Sequence, residues 1–355
     1  MEIIAQVRYD RYTEIGAGSG QNSKVYEAYD HHLHANLVVK EIEKARIGDP
    51  KRYFSEAKAV HASAHPRVVP IHWAAESGDR VCLAMPHMKG GSLADRIAKG
   101  PLRTSELVRV AQDVCEGIAQ VHLAKFIHLD VKPTNVLFDS NGRCAVADFG
   151  QALPLDYAGT ADARDASLYP SFMPPEFIKH KAVVTNASDV YQIGLTLYRA
   201  ANGEPYFQEQ WKPIAARPWP AAHTAIVTGE FPSRDFLPCV PRGIQQAILH
   251  ALELDPADRP VGARALAEEI GRVSIAHEWI TEEYLPDSAT WRLQKPGKAD
   301  VLVLRRGLLP AARVEIWTEV SSGRRRKDAS SWTKVVRTPR QLRIALGRAF
   351  RAATK

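Results

Sequence analysis

One change of period divides this chain and limits what it can fold into. Between residues 8 and 40 the apolar residues come in short runs such as LVVKEI, broken by a Gly-rich turn and polar punctuation, which predicts strands. Asp49-Pro50 is a helix start, an N-cap followed by Pro at the first helical position. Tyr53, Phe54, Ala57 and Val60 then give the stripe of an amphipathic helix. RVCLAM (80–85) predicts another strand, ended by KGGS. From Thr104 the period becomes helical: Leu107, Val110, Ala111, Val114, Ile118 and Val121 share one face over about five turns. Beyond Ser188 the pattern stays mostly helical to Val273, with Pro-rich breaks expected around Trp211 to Pro220 and Pro232 to Pro241. The predicted class is α+β, a strand-rich small lobe followed by a helical large lobe, without internal repeats.

Composition narrows the setting. At 355 residues, 45% hydrophobic and 25% charged, the chain has the make-up of a globular protein of one large or two ordinary domains. Cys82, Cys115, Cys144 and Cys239 are far apart, which argues against a zinc site or a disulfide framework. The start, MEIIAQVRYDRY, has no apolar signal region, and no stretch reaches the roughly 18 apolar residues of a membrane span. A cytoplasmic location is expected.

The segment GSGQNSKV (18–25) places Gly18, Gly20 and Ser23 before Val25. Glycines let a backbone approach phosphate oxygens and offer amide donors, although a Gly/Ser-rich hairpin turn explains the same residues. Fifteen residues after Val25, Val38-Val39-Lys40 ends a predicted strand. The decisive pair is HLDVKPTN (128–135) followed by VADFG (146–150). Together they resemble the catalytic loop and D-F-G motif of eukaryotic-like (Hanks-type) serine/threonine protein kinases, and GEFPSRD and DPADRP, with short loops between, look like the compact bacterial members.

The resemblance covers residues 8–272 and implies a bilobal kinase fold that transfers the γ-phosphate of ATP with Mg²⁺. It implies that Asp130 takes the proton of a Ser or Thr hydroxyl on a protein. Lys132 would neutralise the transferring group, Lys40 would grip the α- and β-phosphates, and Glu56 would orient Lys40. Asn135 and Asp148 would hold Mg²⁺. Gly18, Gly20, Ser23, Val25, Val38, Met85, Pro86, Met88 and Leu137 would line the nucleotide site, with Met85 as gatekeeper. The Pro86 carbonyl and the Met88 N–H would meet adenine. MPPE (173–176) resembles the A-P-E motif, Asp189 the aspartate that steadies the catalytic loop, and Arg259 the expected partner of Glu176.

Three positions depart from the family pattern. Leu129 stands where an arginine commonly precedes the base, and leucine cannot fork onto a phosphate, so control by activation-loop phosphorylation is not expected. Tyr169-Pro170 replaces the common Thr-Pro, and Ser23 replaces a glycine, tolerable where φ stays negative. His31, His32 and His34 are read as a surface turn, and His128 as a buried structural residue.

The end of the chain has a different charge. From Trp291 onward there are 17 Lys/Arg against 4 Asp/Glu, whereas the remaining residues carry 30 against 36. A linker is expected over 273–290 and a small basic α+β domain over 291–355. WRLQ, DVLVLRR and ARVEIWTEV would be its strands and RTPRQLRIALGRAF its helix. Arg324 to Lys327, with Arg340, Arg343, Arg348 and Arg351, suggest an anionic partner, either nucleic acid or an acidic protein. Trp317 and Trp332 would permit base stacking. Two rival functions follow: a small-molecule phosphotransferase of the same fold, or a regulatory or nucleic-acid-binding protein acting through the basic region.

Overall fold

A computed structural model describes residues 6–15, 23–47, 54–179, 182–285, 287–295, 298–320, 323–327 and 334–354. The chain divides into two compact units. The first takes residues up to Leu93, Asp113–Ile193 and Pro260–Arg264; the second takes Ala94–Gln112, Gly194–Arg259 and the chain from Ala265 onward.

In the first unit β1 (Tyr9–Ile15), β2 (Ser23–Asp30), β3 (Ala35–Glu43), β4 (Trp73–Ser77) and β5 (Arg80–Pro86) form an antiparallel sheet in the order β1-β2-β3-β5-β4. Alternation along β3 sorts its side chains between the two faces. Leu37 and Val39 join Ala28, Cys82 and Ala84 in an apolar cluster, with Tyr9 and Trp73 against it. Burying each such aliphatic side chain contributes roughly 1.5–3 kcal/mol. Val38 and Lys40 point to the other face, opposite Met85 and Val25 respectively. His31, His32 and His34 lie in the turn between β2 and β3, and His31 meets Asp10 at 2.9 Å. Ser23 opens β2 in extended conformation, so its Cβ is tolerated.

The helix Ser55–Ala62 turns Glu56, Ala59 and Val60 inward. Its expected start, Asp49, Pro50 and Tyr53, lies outside the described residues, as do Gly18, Gly20 and Trp332. Helix Thr104–Leu123 forms as its spacing predicts, and Val114, Ile118 and Val121 are wholly buried. Three short ribbons also lie in this unit among the described residues: Phe126–Ile127 with Leu153–Pro154, Val136–Phe138 with Cys144–Val146, and Thr160–Asp162 with Val183–Thr185.

The second unit carries the helices Glu204–Ala215, Trp219–Val227 and Arg242–Ala251. The expected break over Trp211 to Pro220 shrinks to a few residues, because Pro213 lies inside the first of these helices and Pro220 in the first turn of the next. Phe207 and Trp211 both pack on Phe231, at 5.4 and 5.0 Å between ring centres. That packing outweighs the missing N–H of Pro213.

A six-stranded sheet ends the chain, in the order Trp279–Tyr284, Ser288–Leu293, Asp300–Arg306, Ala312–Glu319, Arg325–Lys327, with Lys334–Val336 also paired to the fourth strand. Helix Pro339–Ala353 is capped by the Thr338 hydroxyl, which accepts from the Gln341 N–H at 3.2 Å. Its Phe350 packs on Trp279 and Trp291, at 4.4 and 5.5 Å. The expected linker is therefore corrected. Trp279–Tyr284 pairs with Ser288–Leu293, so the sheet begins at Trp279 and not at Trp291, because Trp279 is needed to bury Phe350. No helix among the described residues is long and apolar enough to cross a membrane.

Candidate active site

The inward face of β3 delivers Lys40, and the helix Ser55–Ala62 delivers Glu56. The Lys40 ammonium lies 2.9 Å from both Glu56 oxygens and 2.7 Å from Asp148 Oδ1. Burial works against the charge on Lys40, but Asp148 and Glu56 outweigh it and raise its pKa. Burial pushes Glu56 up against the pull of Lys40. Burial also opposes ionisation of Asp148, yet the Lys40 ammonium holds that carboxyl down to about 2. The expected Lys40–Glu56 pair is present, and Asp148 shares the same cation.

Asp130 sits on a loop whose peptide groups are held by side chains. Asp189 accepts from the N–H groups of His128 and Leu129, at 2.9 and 2.8 Å, and meets His122 Nε2 at 2.8 Å. His128 Nδ1 accepts from the Asp130 N–H at 3.2 Å. Asn135 donates to the Asp130 carbonyl at 2.9 Å and to Asp130 Oδ2 at 2.8 Å. The Leu129 carbonyl and the Val131 N–H are both held by Gln192. Leu129 needs this support, since its φ of 61° lies in the left-handed region, which costs a non-glycine residue about 1–3 kcal/mol. Lys132 Nζ donates to both Asp130 oxygens at 2.8 Å. Burial raises the Asp130 pKa, against the opposing pull of Lys132.

The apolar residues expected around a nucleotide gather in one place. Met85, Met88 and Leu137 pack on a buried cluster of Val69, Ala145 and Ala147. Val25 and Val38 share a sheet face with Lys40 and Met85. Pro86 ends β5 opposite Leu37. His128 is fully buried, with its ring 4.6 Å from that of Phe149.

Leu129 is buried in a second cluster with Ile127, Ala161, Ala163, Leu168, Met173, Ala182 and Val184. Tyr169 is exposed, and Lys132 Nζ lies 5.5 Å from the centre of its ring. Glu176 and Arg259 are both buried; Glu176 accepts from the Ser188 hydroxyl at 2.6 Å, and Arg259 Nε donates to the Glu253 carbonyl at 2.8 Å.

Sequence reasoning missed His122 and Gln192. Gln192 lies three residues after Asp189 on the helix Asn186–Asn202, so it shares the face that holds the loop, and that spacing was the available signal. The expected basic surface is interrupted. Arg324, Arg340, Arg348 and Arg351 are exposed, but Arg343 pairs with Asp235 and Arg325 with Glu319.

Residues 9–270 match the family described as protein kinase domain. The chain is 28% identical to the serine/threonine-protein kinase PrkC of Bacillus subtilis, over 74% of this chain and 40% of that protein. It is 29% identical to the serine/threonine-protein kinase PknB of Mycolicibacterium smegmatis, over 74% of this chain and 43% of that protein. A plant relative, the CBL-interacting serine/threonine-protein kinase 21 of Arabidopsis thaliana, is 30% identical over 57% of this chain and 49% of that protein. The chain thus spans less than half the length of each of these relatives. With the match running from β1 to the end of the helix Ala263–Gly271, the chain belongs to the protein kinase family.

Proposed function

We propose that this chain transfers the γ-phosphate of MgATP to Ser or Thr hydroxyls of a protein substrate. The observation that carries this reading is Asp130 itself. It is a nearly buried carboxylate whose loop is held by Asp189, His128, Asn135 and Gln192, and whose two oxygens both meet Lys132. Asp130 would take the hydroxyl proton as the new P–O bond forms and ADP leaves. Lys132, already beside it, would balance charge on the transferring group.

The residues fit a hard cation. Asp148 offers a carboxylate that stays ionised, and Asn135, whose NH₂ is committed to Asp130, offers its carbonyl oxygen. Asp148 and Asn135 would hold Mg²⁺, which would supply neutralisation of phosphate charge. Lys40, oriented by Glu56, would hold the remaining phosphates, with adenine beside Met85, Met88, Val25, Val38 and Leu137. The Pro86 carbonyl and the Met88 N–H remain the proposed adenine contacts.

Leu129 also bears on regulation. Its cluster packs Ala161, Ala163 and Leu168 of the activation segment, so apolar burial does there what a phosphate–arginine contact does elsewhere. Activity should then not require a phosphate on that segment.

The test is radiolabel transfer to a protein substrate during Mg²⁺ titration, comparing wild type with Asp148→Ala. Transfer should fall by about a thousandfold or more in the variant. Near-normal transfer by a folded Asp148→Ala protein would sink the reading.

A further inference from the structure

One side chain is shared by the catalytic loop and the end of the activation segment. Gln192 is 1% exposed and uses both ends of its carboxamide. Its Oε1 accepts from the Val131 N–H at 3.0 Å, while its Nε2 donates to the Leu129 carbonyl at 2.9 Å and the Phe172 carbonyl at 3.2 Å. An amide nitrogen has two hydrogens, and each has an acceptor here. The reversed amide would set oxygen against two carbonyls and nitrogen against an N–H, so the partners fix its orientation.

Those three contacts are not scattered. Leu129 and Val131 are the residues on either side of Asp130. Phe172 follows Tyr169 by one helical turn, and the two rings are 6.5 Å apart. The exposed Tyr169 ring in turn faces Lys132 Nζ, which bonds both oxygens of Asp130. Gln192 thus holds the peptides on either side of Asp130, while Lys132 beneath Tyr169 and Asn135 both meet its carboxylate. Asp189 and His128 accept from the N–H groups of His128, Leu129 and Asp130. Leu129 touches the segment only by packing.

We propose that Gln192 is a positioning residue that sets the base Asp130 in register with the Tyr169–Phe172 end of the activation segment, using hydrogen bonds where no phosphate is needed. The inference rests on reading Asp130 as the base. Because the bonded groups are backbone, the loss of Gln192 removes three hydrogen bonds in a buried place and frees the base to drift. Misplacement of a catalytic group falls on turnover before it falls on nucleotide binding. The residues that would hold ATP stand on other elements, β2, β3, β5 and Val136–Phe138.

The test is steady-state kinetics of Gln192→Met and Gln192→Glu beside wild type and Asp130→Asn. Radiolabelled MgATP and myelin basic protein serve as probes, and each variant is also melted. Methionine keeps the length and removes every hydrogen bond, so kcat should fall about 30-fold while KM for ATP stays within about twofold. Glutamate keeps the acceptor for Val131 and, when protonated, can donate to one carbonyl. Burial against two carbonyls raises its pKa, so its protonated fraction grows as pH falls. The kcat ratio of Gln192→Glu to wild type should therefore rise between about pH 8 and about pH 6.5. A folded Gln192→Met enzyme with kcat within about twofold of wild type overturns the proposal. A Gln192→Glu ratio that is flat with pH also overturns it, and this readout decides the matter if Gln192→Met does not fold. An active Asp130→Asn enzyme would instead overturn the role of Asp130. An inactive one beside normal Gln192 variants removes only the role of Gln192.

Discussion

The two units use charge in opposite ways. In the first, Lys40, Glu56, Asp130 and Asp189 are buried, and each is committed to another charge or to the backbone of one loop. In the terminal sheet of the second, the core is aromatic and aliphatic, built on Trp279, Trp291, Val303 and Phe350. Charge there is spread across neighbouring strands: Arg292 meets Glu282, Asp300 and Glu319, and Arg325 meets Glu319 again. Buried charge is an expensive way to stabilise a fold, since desolvation offsets much of the attraction. Its concentration around Asp130 marks a place kept for chemistry, whereas the strand-spanning pairs of the sheet serve the fold. The two regions should respond differently to substitution.

The largest effect on stability is expected in the sheet. Trp291→Ala removes a ring that is 1% exposed and should lower unfolding stability by about 3–5 kcal/mol. Denaturant titration measures the loss, and phosphotransfer by the remaining folded protein should be little changed. A stable Trp291→Ala protein with failed catalysis would erase the contrast between the regions.

The converse substitution is Glu56→Ala. Lys40 keeps its charge and its contact with Asp148 but loses the partner that orients it. A fall in kcat of about 10–100-fold, roughly 1.4–2.7 kcal/mol of barrier, should exceed any change in KM for ATP. A change confined to KM would mean that the pair contributes binding alone.

The smallest effect sharpens the role of Leu129. Phosphatase treatment, followed by an assay on an exogenous substrate, should change activity by less than about tenfold. Tyr157, Thr160, Ser167, Tyr169 and Ser171 are the hydroxyls of the segment. A larger loss would show that another cation reads a phosphate there.

The sequence made the site legible where chemistry is written in contiguous residues. HLDVKPTN and VADFG carry the proposed base and the proposed cation oxygens within two short stretches, and Lys40 follows a predicted strand on whose face Val38 and Val25 lie with it. It was less legible where meaning depends on distant partners. Gln192 reads as an ordinary polar helix residue until the groups it holds, some 60 positions upstream, are brought beside it. WITEEY shows little alternation because its strand is half-covered, so its place in the sheet is decided by the pairing with Ser288–Leu293. Pro213 breaks a helix by local propensity alone, but the packing of Trp211 on Phe231 overrides it.

On the proposed function, the side chains converging on Asp130 hold a base for hydroxyl phosphorylation. The most direct measurement is phosphoamino-acid analysis of a protein substrate incubated with radiolabelled MgATP and either wild type or Asp130→Asn. Asparagine keeps the shape and the bond to Lys132 but cannot take the proton. Wild type should label Ser or Thr, and the variant should label neither above background while melting as wild type does. Undiminished labelling by Asp130→Asn, or wild-type label confined to tyrosine or to a small molecule, would contradict the account.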